Sequence, residues 1–121
     1  MSTVFFPSSP SGFAIVEDLT GAAVTNNVLG IPCSAYQIQI INTNTARVYL
    51  KLYDNVLPTL GTAAPNTVFP CDPNNQYDPF IVQIPKGIPF ALGLSFAVLT
   101  TPGTAGTTFP TLPVITRITC K

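Results

Sequence analysis

The sequence predicts an all-β domain: an antiparallel, jelly-roll-like β-sandwich of seven to nine strands. Three observations point to it. Apolar residues alternate with polar ones in several short runs, the period of a half-buried strand. Thirteen prolines and eight glycines punctuate those runs at close spacing. No stretch of useful length shows helical i, i+3, i+4 spacing. Short strands separated by regular turn signals build sandwiches and barrels.

The clearest signal runs from Ser34 to Asp54. Tyr36, Ile38 and Ile40 alternate with Gln37 and Gln39, and Val48, Leu50 and Leu52 alternate with Tyr49, Lys51 and Tyr53. The polar run Asn42-Thr43-Asn44-Thr45 lies between them. So brief a connection predicts an antiparallel hairpin, with Gln37, Gln39, Tyr49, Lys51 and Tyr53 facing outward.

The other elements follow in chain order. Val4-Phe5-Phe6 reads as an arm or edge strand, and Pro7 to Gly12 as a linker. Residues 1–12 thus precede a single sandwich domain, 13–121. Phe13 to Glu17 is a short strand and Leu19 to Ala22 a turn. Val24 to Leu29 is a further strand, ended by Gly30-Ile31-Pro32. The long connection from Asn55 to Cys71 holds a short strand at Asn66 to Phe69. Asp72 to Pro79 is a polar loop. Phe80 to Ile84 is a strand, and Pro85-Lys86-Gly87 is a tight turn in which Gly87 supplies a positive φ. Ile88 to Thr100 reads as one central strand. Its large face is Phe90, Leu92, Leu94, Phe96 and Val98; its small face, Ala91 to Ala97, lies under another element or another chain. Thr101 to Thr108 is an exposed Gly/Thr loop, and Leu112 to Cys120 closes the domain.

Composition narrows the function. Only 8% of the 121 residues are charged, and the net charge is zero; a typical soluble domain carries about 25%. The polar surface is therefore Thr, Ser, Asn and Gln, which desolvates easily and suits permanent contact between subunits. There is no His, so neither a Ser-His-Asp nor a Cys-His site is possible, and the acids do not cluster. The chain reads as non-enzymatic, with no cofactor and no metal. Asp72 to Asp78 departs from EF-hand spacing and reads as turn residues. Five scattered cations form no patch for nucleic acid. The longest apolar stretch is too short and too broken to span a membrane. With no basic leader before Arg47, the expected place of synthesis is a cytosol. Cys33, Cys71 and Cys120 contain no CxxC and read as buried small hydrophobes, though one disulfide in any of three pairings stays open.

Three runs then stand out in order. They are Arg47 to Asp54; Pro58-Thr59-Leu60-Gly61-Thr62 with Pro65; and Ile84-Pro85-Lys86-Gly87-Ile88-Pro89-Phe90-Ala91-Leu92-Gly93-Leu94. Together with the Thr/Gly loop they resemble small structural proteins of tailed bacteriophages, whose pattern passes from Tyr-Leu-Lys-Leu-Tyr to Pro-Thr-x-Gly-Thr-x-x-Pro and then Gly-Ile-x-Phe-x-x-Gly. The likeness covers about half the chain, Ala46 to Gly106. It departs at the loop itself, Thr100 to Gly106, and leaves the cysteines outside.

The resemblance implies a virion component without catalytic residues, on head or tail. The expectation taken forward is a capsid decoration or cement protein on the virion surface. It would bind the major capsid protein and its own copies, with a trimer favoured, and neither nucleic acid nor membrane. Its expected contact residues are Val4, Phe5 and Phe6 in the arm, Tyr49, Lys51 and Tyr53 on the hairpin, and Thr101, Thr104, Thr107 and Thr108 in the loop. The rival readings are a tail or fibre module that touches the host and a carbohydrate-binding β-sandwich.

Overall fold

The computed structural model describes the backbone of residues 3–6 and the whole of residues 13–121. The described residues contain eight strands: β1 (Thr3–Phe6), β2 (Ala14–Asp18), β3 (Cys33–Asn42), β4 (Val48–Asp54), β5 (Thr67–Cys71), β6 (Phe80–Phe90), β7 (Leu94–Leu99) and β8 (Val114–Cys120). They form two antiparallel sheets, ordered β1-β2-β8-β3-β6 and β5-β4-β7. Side chains of the Pro7 to Gly12 linker and of Val4, Phe5 and Phe6 lie outside the described residues.

The topology is that of one long hairpin rolled into two layers. From its open end inward, β2 pairs with β8, Thr25 bridges to Phe96 of β7, β3 pairs with β6, and β4 pairs with β5. Rolling then brings β8 beside β3 and β7 beside β4. This is the jelly roll the alternation predicts, with β1 added outside β2 through Phe5↔Val16 and its neighbours.

The inward residues of both layers fill the core: Val16, Ile38, Ile40, Leu50, Leu52, Phe90, Phe96 and Ile118 are all essentially inaccessible to solvent. Cys33, Cys71 and Cys120 are buried free thiols. Burial pushes the Cys71 pKa up to about 11. The neighbouring Cys33 thiol and burial together push that of Cys120 up as well.

Four expectations need correction. Ser34 to Asp54 is not a hairpin. β3 and β4 lie in opposite sheets and face each other across the core, so residues 43–47 form an arch between layers. The connection has no glycine for the positive φ of a tight hairpin turn, and its asparagines point inward. Asn42 donates to the carbonyls of Ala46 (2.9 Å) and Asp72 (3.2 Å) and accepts from Asn44. Asn44 donates to and accepts from Leu112, and Asn75 accepts from the Asn42 amide at 2.6 Å. Three loops are thereby tied at one end of the sandwich.

Ile88 to Thr100 is two strands. The chain leaves one sheet after Phe90 and enters the other at Leu94. Gly93 makes the corner at φ +146°, and Leu92 is left 66% exposed. Pro85-Lys86-Gly87 is not a turn but part of β6. Ala35 opposes Ile88 while Gln37 opposes Gln83, so Ile84–Gly87 bulge against Tyr36. Gly87 has the expected positive φ, +75°, and a Cβ there would lie 2.9 Å from the Tyr36 ring. Finally, Val24 to Leu29 is not a strand: it meets β7 through the isolated Thr25 bridge to Phe96, the Asn27 amide bond to the Ser95 hydroxyl and the Val28 amide bond to Leu94.

Candidate interaction surfaces

The outer face of β5-β4-β7 is not open. The 55–66 connection and the 100–109 loop fold across it from opposite ends. Tyr53 is 2% exposed and packs with Ala97, Leu99, Leu60, Ala63 and Phe109 in a second small core. The two loops also meet each other, with Gly61 so close to Thr107 that a Cβ would sit 3.0 Å from its methyl. Lys51 is fully buried under the 100–109 loop, and its ammonium donates to the Gly103 carbonyl at 2.6 Å. Burial lowers its pKa below the ordinary 10.5. The small face around Ala97 is covered, as expected, by the chain's own loops.

Among the ten expected contact residues the structure therefore separates four groups. Lys51 and Tyr53 are withdrawn: their outward direction on β4 is as expected, but loops cover them. Tyr49 is half-buried on the same face. Thr101, Thr104, Thr107 and Thr108 are exposed, on a loop held by Lys51 and by the Thr100 amide bond to Thr108 (3.0 Å). Val4, Phe5 and Phe6 belong to β1, whose backbone pairs with β2.

The outer face of the larger sheet is open and carries little net field. Register places Ile15, Thr119, Gln37 and Gln83 in one row and Glu17, Arg117, Gln39 and Ile81 in the next. Glu17 and Arg117 neutralise each other in an ion pair. At the edge of this face Phe13, Tyr36, Gln37, Gln83, Pro85 and Thr119 line a shallow groove of about 310 Å³. Phe13 meets Tyr36 edge to face, centroids 5.3 Å apart, and Lys121 lies over the Phe13 ring.

The two ends differ. One carries the Arg47–Asp72 ion pair (2.8 Å), Asn74 and Asp78 around an open cleft of about 740 Å³. The other presents Ile31, Val56, Leu57 and Leu92, which are 62%, 47%, 70% and 66% exposed. Sequence alternation could not find this second group: Ile31, Val56 and Leu57 sit in irregular segments where no period applies, and Leu92 continues the alternation of its neighbours although it lies at a corner. No group of three or more His, Cys, Asp or Glu side chains among the described residues is placed to hold a metal.

Comparison with protein-family models, curated proteins and solved structures gives no match.

Proposed function

We propose that the chain is a non-enzymatic virion structural protein, a capsid decoration or cement protein of a tailed bacteriophage. It binds the major capsid protein lattice as a homo-oligomer and stabilises the head. One observation supports this reading above the others: a jelly roll with few charges, most of them buried, ion-paired or hydrogen-bonded within the chain. Asp18 and Lys51 are buried. Glu17 pairs with Arg117 and Arg47 with Asp72. The Asp54 carboxylate accepts the Leu92 amide at 2.8 Å. Asp78, Lys86 and Lys121 are exposed; the rest of the surface is largely neutral and polar or aliphatic, which costs little to desolvate and suits permanent contact in a lattice.

The likeness to phage structural proteins adds to this. Its Tyr-Leu-Lys-Leu-Tyr run is β4 itself, and its Pro-Thr-x-Gly-Thr loop and its Thr/Gly loop are the two segments that fold over it. They secure a rigid face rather than a reactive site.

Mechanically, the protein stiffens joints between capsomers by burying area at them. An interface of ordinary size buries about 1,600 Å², and repetition over a shell multiplies modest contacts. Particles stripped of the protein are expected to lose resistance to heat and to low ionic strength and to regain it when the protein is added back. Unchanged stability of stripped particles would overturn the cement role.

The groove beside Tyr36 favours a second reading, a carbohydrate-binding sandwich, since amides next to aromatic rings suit sugars. Against it, Tyr36 is packed between Phe13 and Gly87, which limits the ring face left for stacking. Binding on a glycan array would support the second reading, and a blank array would dispose of it.

A further inference from the structure

The three buried thiols have no part in the surfaces described above, and the fold treats them unequally. Cys71 is out of reach of the other two. Its sulfur lies 3.9 Å from the Ile40 carbonyl and accepts a hydrogen bond from the Asn75 side chain at 3.1 Å. Cys33 stands at the other end of β3. At about 3.4 Å per residue, the strand puts roughly 20 Å or more between Ile40 and Cys33, and a disulfide needs Cα atoms within about 7 Å.

Cys33 and Cys120, by contrast, are brought together. Cys33 opens β3 and Cys120 closes β8. Ser34 and Lys121 exchange both backbone hydrogen bonds, each 3.0 Å, and the next pair in register is Ala35↔Cys120. Cys33, Ala35 and Cys120 all face the core. The two cysteines are therefore diagonal neighbours on one face of one sheet, a relation in which side chains reach each other. Their thiols are hydrogen-bond partners. Both residues sit at strand ends, where the ladder opens most readily.

Access comes from one side. Cys120 is fully buried, while Cys33 keeps 8% exposure and borders a shallow hollow of about 350 Å³ between Pro32, Pro89, Ala91 and Lys121. The Cys120 hydrogen bond holds the Cys33 pKa below the ordinary 9.0, and the Cys33 thiol and burial push that of Cys120 up. Cys33 is thus the thiol that reacts first, and Cys120 the one that resolves.

We infer that Cys33 and Cys120 form an oxidation site, a latent disulfide that closes across the ends of β3 and β8 under oxidising conditions while Cys71 stays free. With hydrogen peroxide as the oxidant, the Cys33 thiolate attacks one peroxide oxygen. The O–O bond breaks, Cys33 becomes a sulfenic acid, and the departing hydroxide takes up the Cys33 proton as water. The Cys120 sulfur then attacks the Cys33 sulfur, the S–O bond breaks, and the Cys120 proton leaves with that hydroxide as a second water. Two thiols lose two electrons in all, and one peroxide is reduced to two waters. The bridge ties the closing strand to β3 and encloses nearly the whole domain in one covalent loop, the arrangement that restricts an unfolded chain most. The site stands on the sandwich alone and does not depend on the capsid reading.

Non-reducing peptide mapping of the full chain tests this. After dithiothreitol is removed, the native protein treated with hydrogen peroxide is expected to yield one cross-linked peptide pair, Cys33 with Cys120. Alkylation in urea should then find Cys71 as the thiol left. The unfolding temperature should rise by about 5 °C or more and fall back when dithiothreitol is restored. Cys71→Ala should close the same bridge. Cys120→Ala should close none and should be trapped at Cys33 by dimedone, which captures a sulfenic acid. A wild type that keeps all three thiols, or a bridge that includes Cys71, would overturn the pairing. A Cys33–Cys120 bridge that leaves the unfolding temperature unchanged would overturn its stabilising role.

Discussion

Lys51 Nζ donates to the Gly103 carbonyl oxygen at 2.6 Å, tying the middle of β4 to the crown of the 100–109 loop. The ammonium is shut off from solvent, and a neutral carbonyl is its hydrogen-bond partner. A charge in that position is costly to bury, so the long aliphatic stem must supply much of the benefit.

Substitutions separate stem from charge. Lys51→Met keeps the stem and removes the ammonium; it is expected to hold stability within about 1 kcal/mol of wild type or to raise it. Lys51→Ala empties the site and should cost about 2–5 kcal/mol, the range for truncating a buried Met-sized side chain. Urea unfolding of both variants checks the pair.

The same burial gives a pH signature. The Lys51 pKa is lowered in the folded chain, so between that value and 10.5 the unfolded chain binds more protons. Stability from this group therefore rises with pH across the window. Tyr53 and Cys71 act in the opposite sense: burial raises their pKa values, Cys71 to about 11, and stability is lost as pH climbs towards and through the raised values. The difference in unfolding free energy between wild type and Lys51→Met should move in favour of the wild type as pH rises towards 10.5. A flat difference would place the ammonium in water.

The Cys71 thiol should be slow to react. With its pKa at about 11 rather than 9.0, Cys71 holds about 100-fold less thiolate at pH 8 than an ordinary cysteine. Labelling of Cys71 in the native chain by a disulfide reagent is expected to lag its labelling in the urea-unfolded chain by at least that factor; Cys33, whose pKa the Cys120 thiol lowers, is followed separately. Equal rates would mean that the core is open to the reagent.

At Gly87, shape and conformation coincide. Gly87→Ala would force a Cβ into the Tyr36 ring at φ +75°, and a cost of about 1–3 kcal/mol is expected. Gly30 has φ +71° with nothing within 4 Å of the added atom, so Gly30→Ala should cost about 1 kcal/mol, strain alone. Chemical denaturation of the two variants separates clash from strain.

Asn42 holds the opposite end together. Asn42→Ala leaves the Ala46 and Asp72 carbonyls and the Asn44 amide without that partner, at about 1–3 kcal/mol for each group that stays dry. Loss of at least 2 kcal/mol and faster amide exchange around Asn44 and Leu112 are expected, within the range for a broken buried network.

Alternation made the strands legible and left their pairing hidden. Val48, Leu50 and Leu52 announce an inward face, but period two does not say which strand lies alongside or which sheet receives it. Asn42 and Asn44 look like turn residues, and only the assembled loops show that their side chains point in. Lys51 and Tyr53 do face away from the main core, as their positions in β4 imply. What covers them arrives from loops about fifty residues later and ten residues later, where no period exists to read. The break at Leu92 was hidden for the opposite reason: Phe90 to Val98 keeps its alternation straight through the Gly93 corner. The apolar end became visible once three irregular segments were brought together.

The central claim is a structural role repeated over a shell, and copy number measures that most directly. Quantitative mass spectrometry of purified particles should find on the order of hundreds of copies per head, in fixed ratio to the major capsid protein. A dozen copies or fewer, or none, would contradict the capsid role and favour a tail or vertex position.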